Sequence, residues 1–264
     1  MATDLQGLSA FVLGHRGMLG HVVARWLAER GARVVTSERR EDGAGALLDE
    51  VLASRCDAVV NAVATTARGQ MLATNGLWPQ RLAAALGGSA LLVHPSTDGV
   101  FSGARGPYPV SAIPDATDEY GVSKRLGELC AAVPGARVVV LRCSLVGPEL
   151  GAQKSLLGWL GTQRGEVNGY LDRLWNGITT LEWARLCERA VRGELEPGLH
   201  QPACTEPVSK AQLLEEIAAA YGWHVRVRPV TSGTPVDRRL VPTLSLAPIS
   251  PQLDALRRWQ RSGG

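Results

Sequence analysis

The chain has 264 residues, of which 45% are hydrophobic and 20% charged, and its formal net charge is +3. That length suits one large domain, or one domain with a small appendage. The mild charge and scattered arginines exclude a basic stripe for nucleic acid, and no apolar run approaches the ~18 residues of a membrane span. The N-terminus has no basic-then-apolar leader pattern. Five cysteines (Cys56, Cys130, Cys143, Cys187 and Cys204) form no C-x-x-C pair. They read as reduced thiols in the core of a cytoplasmic protein. No His/Cys/Asp cluster has metal-ligand spacing, and no catalytic metal is expected.

In chain order, Ser9-Ala-Phe-Val-Leu13 reads as a buried strand and Met18 to Arg30 as a helix with apolar Leu19, Val22, Val23, Trp26 and Leu27, closed by Gly31. Strands follow at Arg33–Thr36, Asp57–Asn61 and Ala90–His94, with a helix from Trp78 to Leu86 before the last of these. Next come a helix carrying Tyr120 and Lys124 and a strand at Arg137–Arg142. Strands alternating with helices argue for an α/β fold, a Rossmann-type doubly wound parallel sheet over residues 1–147. Beyond Gly147, prolines and glycines become frequent, and residues 148–264 read as a smaller, irregular substrate lobe, with the part near 176–196 packing back on the sheet domain. Capping boxes are expected at Thr179 with Glu182 and at Ser209 with Gln212; the second helix runs to a stop at Gly222. Residues 257–264 read as a frayed end.

Gly14-His15-Arg16-Gly17-Met18-Leu19-Gly20 sits between the first strand and the first helix. Gly14 permits the tight turn, Gly17 lets backbone approach a pyrophosphate, and Gly20 allows close helix packing, with the helix N-terminus facing phosphate. An NAD site usually carries an acidic side chain about 20 residues after the glycines begin. That position falls near Thr36 or Ser37, and Arg39 and Arg40 follow at once. With Arg16, these arginines favour NADP, whose 2′-phosphate they would bind. Glu38 keeps NAD open, because a shift of one residue makes it the ribose partner. His15, in the same loop, either touches phosphate or points to solvent.

Tyr120 and Lys124 are four residues apart and share one helix face. An ammonium near a phenol favours the ionised form, otherwise reached near pH 10. Such a phenol can exchange a proton with a carbonyl oxygen near neutral pH, and Thr97, at a strand end, would hold the same oxygen.

With these residues in place, the chain resembles the extended short-chain dehydrogenase/reductase superfamily, and within it the dTDP-4-dehydrorhamnose reductases and related sugar-nucleotide reductases. The likeness runs from the glycine loop, which also resembles that of GDP-fucose synthases, through Asn61-Ala-Val-Ala64, Asn75, Ser96–Gly103, Tyr120–Glu128 and Leu141–Ser144. It continues in Asn176-Gly-Ile-Thr-Thr180 and Val236-Asp-Arg-Arg239. The resemblance implies NADPH-dependent reduction of a nucleotide-linked 4-keto-6-deoxy sugar. Tyr120 would be the general acid, Lys124 would hold the nicotinamide ribose and lower the tyrosine pKa, and Thr97 would orient the oxygen. Ala62, Val63, Ala64 and Asn75 would line the cofactor path, while Cys143, Ser144 and Leu145 would approach the nicotinamide. Asp98, Gly99 and Val100 would lie beside the substrate, and a homodimer is the family expectation.

Two departures fall at the substrate position. Gly99 stands where these reductases commonly have tyrosine, and Leu145 where they commonly have tryptophan. Trp175, Asn168, Tyr170 and Asn176 either rebuild the sugar-nucleotide pocket or serve as core aromatics and turn asparagines. His94 and Asp98 each have a structural alternative. Two other functions stay open: an epimerase or dehydratase on the same scaffold, drawing on Cys143 and His200, or a silent dinucleotide-binding regulatory subunit.

Overall fold

The computed structural model describes residues 5–40, 45–151 and 153–262. In chain order, the first part comprises β1 (Ser9–Leu13), α1 (Gly20–Glu29), β2 (Arg33–Thr36), α2 (Ala46–Ser54), β3 (Ala58–Asn61), α3 (Trp78–Leu86), β4 (Leu91–Ser96), α4 (Glu119–Glu128) and β5 (Arg137–Arg142). A π-helical turn at Leu72–Leu77 leads into α3. The second part adds α5 (Leu156–Thr162), α6 (Thr180–Val191), α7 (Lys210–Tyr221) and α8 (Ile249–Arg261), with short strands between them.

Among the described residues the central sheet has six strands, in the order Gly198–His200, β5, β4, β3, β1, β2, and every pairing is parallel. The apolar runs are continuous because both faces are covered. Ala10, Val12, Val60, Val93 and Val139 face α1 and α6, whereas Phe11, Leu13, Val59, Leu92 and Val140 face α2 and α3. The strand order reverses between β1 and β3, which opens a crevice at their carboxyl ends, where ligands bind in such sheets.

The second part packs back on the first. Gly198–His200 extends the sheet beside β5, and α6 lies against α1, where Glu188 accepts from Trp26 Nε1 at 2.8 Å and from Arg30 at 3.1 Å. A separate three-stranded sheet sets Arg173–Trp175 between Val208–Ser209 and Val236–Asp237.

The capping box at Ser209 forms in both directions, and α7 ends at Gly222 with φ 67°. At Thr179 only half forms. Its hydroxyl accepts from Glu182 N at 3.3 Å, but its own N–H is claimed by Gln252 at 3.0 Å, and the Glu182 carboxylate turns to Arg185. The expected frayed end is instead largely helix. α8 buries Ile249, Leu253 and Leu256, and its Trp259 meets Trp26 edge-on beneath the Arg25 guanidinium. Gly263 and Gly264 lie outside the described residues. No helix among those described is long and apolar enough to cross a membrane.

Candidate active site

β1 delivers the chain into the glycine loop, where Gly14 has φ 73° and Gly17 N donates to Gly14 O at 2.8 Å. A Cβ at Gly14 would lie 2.8 Å from Ala62 O, and one at Gly20 only 2.2 Å from Gly14 O, so side chains here would fill the cradle. No side chain caps the N-terminus of α1, though its His21 N–H already meets Gly17 O at 3.3 Å, and the helix start faces the loop. A cleft of about 410 Å³ opens there. Its walls gather Gly14, His15, Arg16, Gly17, Ser37, Arg39, Arg40, Ala62, Val63 and Ala64, all anticipated from sequence, together with Glu38 and Thr65. These residues fit a dinucleotide: a close-approach glycine turn, a helix N-terminus and cations at the far end of β2.

Not every expected contact lines that cleft. Leu19 is 7% exposed and belongs to the core below the loop; Met18 beside it is half-buried. Asn75 is fully buried in the π-helical turn, where its amide ties Thr65 N and O at 2.9 Å each and Ser123 Oγ at 3.1 Å. It braces the segment after β3 against α4.

Thr97 follows β4 and caps the short turn Asp98–Val100, accepting from Gly99 N at 3.0 Å and donating to Asp98 at 3.2 Å. Helix α4, capped by Asp118, presents Tyr120 beside Gly99 and Thr97: a Cβ at Gly99 would lie 3.3 Å from Thr97 Oγ1 and 3.5 Å from the Tyr120 ring. Gly121 permits this approach, since a Cβ there would lie 2.5 Å from Gly99 O. Lys124, 3% exposed, donates to Pro95 O at 2.7 Å. Burial pushes its ammonium down to about 8, against the opposing pull of Glu128.

The Tyr120 phenol stands above its ordinary value, not below it as its spacing from Lys124 suggests: burial is the largest cause, the Thr97 hydroxyl opposes it, and Asp98 and Asp118 add to it.

Burial raises the Asp98 carboxyl, countered by Lys210 and Arg238. Lys210 opens α7 and lies 5.3 Å from the Trp175 ring centre, while Arg238 follows the strand Val236–Asp237 with its Nε buried and unpartnered. Lys210 carried no signal in the sequence, being one more polar residue after an N-cap.

The proposed pocket residues of the second part are held by other tasks. Trp175 is 3% exposed, sits in the main core and donates to Ser144 Oγ at 2.7 Å. Asn176 is paired both ways with the Leu240 backbone. Asn168 accepts from Arg228, and Tyr170 lies under the Arg173 guanidinium. Gly99 and Val100 are buried, and Gly99 leaves the side of the Tyr120 ring bare: a Cβ there would lie 3.5 Å from the ring. Leu145 is half-buried in the strand Leu145–Val146.

The remaining titratable residues are structural in placement. His94 is fully buried, accepts at Nδ1 from Asn61 Nδ2 at 3.2 Å, and is held well below its ordinary pKa by burial and by Lys124. Cys143 is 2% exposed with its thiol pushed up by burial, and His200 Nε2 is engaged by Glu196 O at 2.8 Å. These two do not form an acid/base pair among the described residues.

The family model described as "RmlD substrate binding domain" matches residues 9–262. The chain belongs to this family. A probable low-salt glycan biosynthesis reductase, Agl14 of Haloferax volcanii, is 32% identical over 172 residues, a match that spans 57% of this chain and 57% of that relative. In structure, the chain is similar to dTDP-4-dehydrorhamnose reductase of Bacillus anthracis in complex with NADP, with a TM-score of 0.82 and 19% identity over 96% of this chain and 99% of the other. WbmH of Bordetella bronchiseptica in complex with NAD+ gives a TM-score of 0.74 and 18% identity over 96% and 98% of the two chains. At these identities the two structures speak for the shared fold.

Proposed function

We propose that this RmlD-family chain is an NADPH-dependent reductase of the keto group of a nucleotide-activated 4-keto-6-deoxy sugar, with NADH as a second donor. The observation that carries this reading is the meeting of Thr97 and Tyr120 beside Gly99, where a Cβ would lie 3.3 Å from Thr97 Oγ1 and 3.5 Å from the Tyr120 ring, with surroundings that favour the protonated phenol. When bound, the nicotinamide supplies the hydride. Tyr120 then gives its proton to the former carbonyl oxygen, and Thr97 orients that oxygen. Gly14, Gly17 and the α1 N-terminus would hold the pyrophosphate, and Lys124 the nicotinamide ribose. Lys210 and Arg238 outnumber Asp98, and their excess positive charge suits the diphosphate of a sugar nucleotide. The likeness to the Bacillus dTDP-4-dehydrorhamnose reductase and to the probable Haloferax glycan biosynthesis reductase supports the same reaction class.

The test is NADPH oxidation with a panel of nucleotide-linked 4-keto sugars, dTDP-4-keto-6-deoxyhexose first. Tyr120→Phe should lower turnover by roughly 10²–10⁴-fold while NADPH binding persists. Full turnover in that variant refutes the proton-donor role.

A further inference from the structure

Three elements of the site end at one buried carboxylate. Ser96 closes β4, Glu128 closes α4 and Arg142 closes β5, and the sheet register sets Ser96 beside Arg142. Ser96, 4% exposed, donates from Oγ to Glu128 Oε1 at 2.6 Å. Arg142 holds the same carboxylate by two bonds and gives a third, from Nη1, to Gln201 Oε1 at 2.9 Å. The guanidinium also lies 5.2 Å from the Phe101 ring centre, and Phe101 stacks on Tyr108 with ring centres 4.0 Å apart. Thr97 lies between these two holds. Ser96 precedes it directly, and Phe101 follows the turn Asp98–Val100 that Thr97 caps, with its N–H on Asp98 O at 3.0 Å.

Gln201 carries the chain of contacts into the second part. It is fully buried, and its Nε2 donates to Tyr108 O at 3.1 Å and to Val241 O at 2.9 Å, while its N–H meets Thr243 Oγ1 at 2.7 Å. Val241 follows Arg238 closely, and Tyr108 N closes the same stretch on Arg239 O at 2.8 Å. A bidentate guanidinium–carboxylate pair fixes orientation as well as distance, and the bonds of a buried polar chain strengthen one another. Ser96 adds no charge to that pair; its hydroxyl transmits the pair's rigidity to the backbone next to Thr97. We infer that Ser96 and Gln201 are positioning residues of the reaction. Through the Glu128–Arg142 pair, Ser96 sets the Thr97 hydroxyl against Tyr120, and Gln201 ties both to the segment that carries Arg238. This role rests on the reaction proposed for Thr97 and Tyr120, and it acts on the rate of the chemical step, where a displacement of about 1 Å can cost about 100-fold.

Ser96→Ala is the mildest perturbation, because Glu128 keeps both bonds from Arg142. Each variant is first shown to be folded by thermal melting. With NADPH and dTDP-4-keto-6-deoxyhexose, kcat of Ser96→Ala should fall roughly tenfold while KM for NADPH stays within about twofold. In a Thr97→Val background the same substitution should cost nothing further, because the hydroxyl it positions is absent there. Gln201→Met should lower kcat likewise and also raise KM for the sugar nucleotide severalfold. Ser89→Ala, which removes a hydroxyl bonded to Leu86 O ahead of β4, should change neither constant. Full kcat in Ser96→Ala, an equal loss with and without the Thr97 hydroxyl, or an equal loss in Ser89→Ala overturns the positioning role. An unchanged KM for the sugar nucleotide in Gln201→Met overturns the tie to the second part. A readout without turnover separates this role from the proposed function. The chain has four tyrosines. With ¹³Cζ-labelled tyrosine, the Tyr120 resonance, identified by its loss in Tyr120→Phe, should shift in Ser96→Ala while that of Tyr221 stays. If the unaltered chain reduces no nucleotide-linked keto sugar, the proposed function falls; an unshifted Tyr120 resonance overturns the positioning of Thr97 whether or not turnover is found.

Discussion

Arg142→Met should cost the fold about 4 kcal/mol, and the reason lies in a buried ion pair that fixes α4, the helix that carries Tyr120 and Lys124. Arg142, at the end of β5, is 2% exposed. It grips Glu128, the last residue of α4, through Nε at 2.7 Å and Nη2 at 2.6 Å, and donates from Nη1 to Gln201 at 2.9 Å. Ser96 Oγ, one residue before Thr97, donates to the same carboxylate at 2.6 Å. Deleting one member of such a pair strands the other charge, at a cost of roughly 3–5 kcal/mol. The Gln201 acceptor left unmatched adds about 1 kcal/mol to the low end of that range. Urea unfolding followed by tryptophan fluorescence should show the midpoint falling by roughly 1–2 M with little change in slope. Replacing both partners, Arg142→Met with Glu128→Leu, should recover much of the loss, since no charge is then left buried. A loss under about 1 kcal/mol in the single variant, or strict additivity of the two replacements, refutes the argument.

Two further outcomes follow from the site. The Lys124 pKa of about 8 lies below its ordinary 10.5, so the unfolded chain binds the additional proton between those values and stability should rise with pH across that window. The gap corresponds to roughly 3 kcal/mol, and Lys124→Met should lack the rise; parallel stability–pH curves for the two proteins would contradict it. Gly20→Ala places a Cβ 2.2 Å from Gly14 O and 3.0 Å from His15 Cα, so the loop backbone itself must move. NADPH affinity by fluorescence titration should fall by more than roughly 100-fold, with about 1–3 kcal/mol of destabilisation, whereas Gly151→Ala, which meets open space, should change neither.

Much of the first part was legible because its strands are buried on both faces and its helices end in recognisable caps. β1, β5 and α3 have the bounds read from sequence, and the Ser209 helix ends at the glycine expected. The edge strand Gly198–His200 was not legible: three half-buried residues give no periodic signal, and only the open edge of β5 makes them a strand. α8 was missed because the charged run at Arg257 and Arg258 masks an apolar set, Ile249, Leu253 and Leu256, with helical spacing. The glycine loop, Tyr120, Lys124 and Thr97 could be named from sequence, but the Pro95 carbonyl that takes the Lys124 ammonium could not. Sequence gives the sign of Arg16, Arg39 and Lys210, while the groups they face are set by elements far apart in the chain.

The environment of Tyr120 bears on the direction of the chemistry more than its spacing from Lys124 does. Reduction needs a protonated phenol at the start of the step, and oxidation of an alcohol needs a phenolate. Burial, Asp98 and Asp118 all favour the protonated form, and the Thr97 hydroxyl opposes them. Asp98 is itself held between two influences, burial that favours its neutral form and the cations Lys210 and Arg238 that favour its charge. Those cations come from the second part of the chain. On the proposed reading, the cations that would meet the far end of a substrate are therefore electrostatically linked to the acid that would protonate its carbonyl. An anion drawn to Lys210 and Arg238 weakens their hold on the Asp98 charge. Asp98 then shifts toward its neutral form, and one of the forces that keeps the Tyr120 proton in place is reduced as substrate arrives.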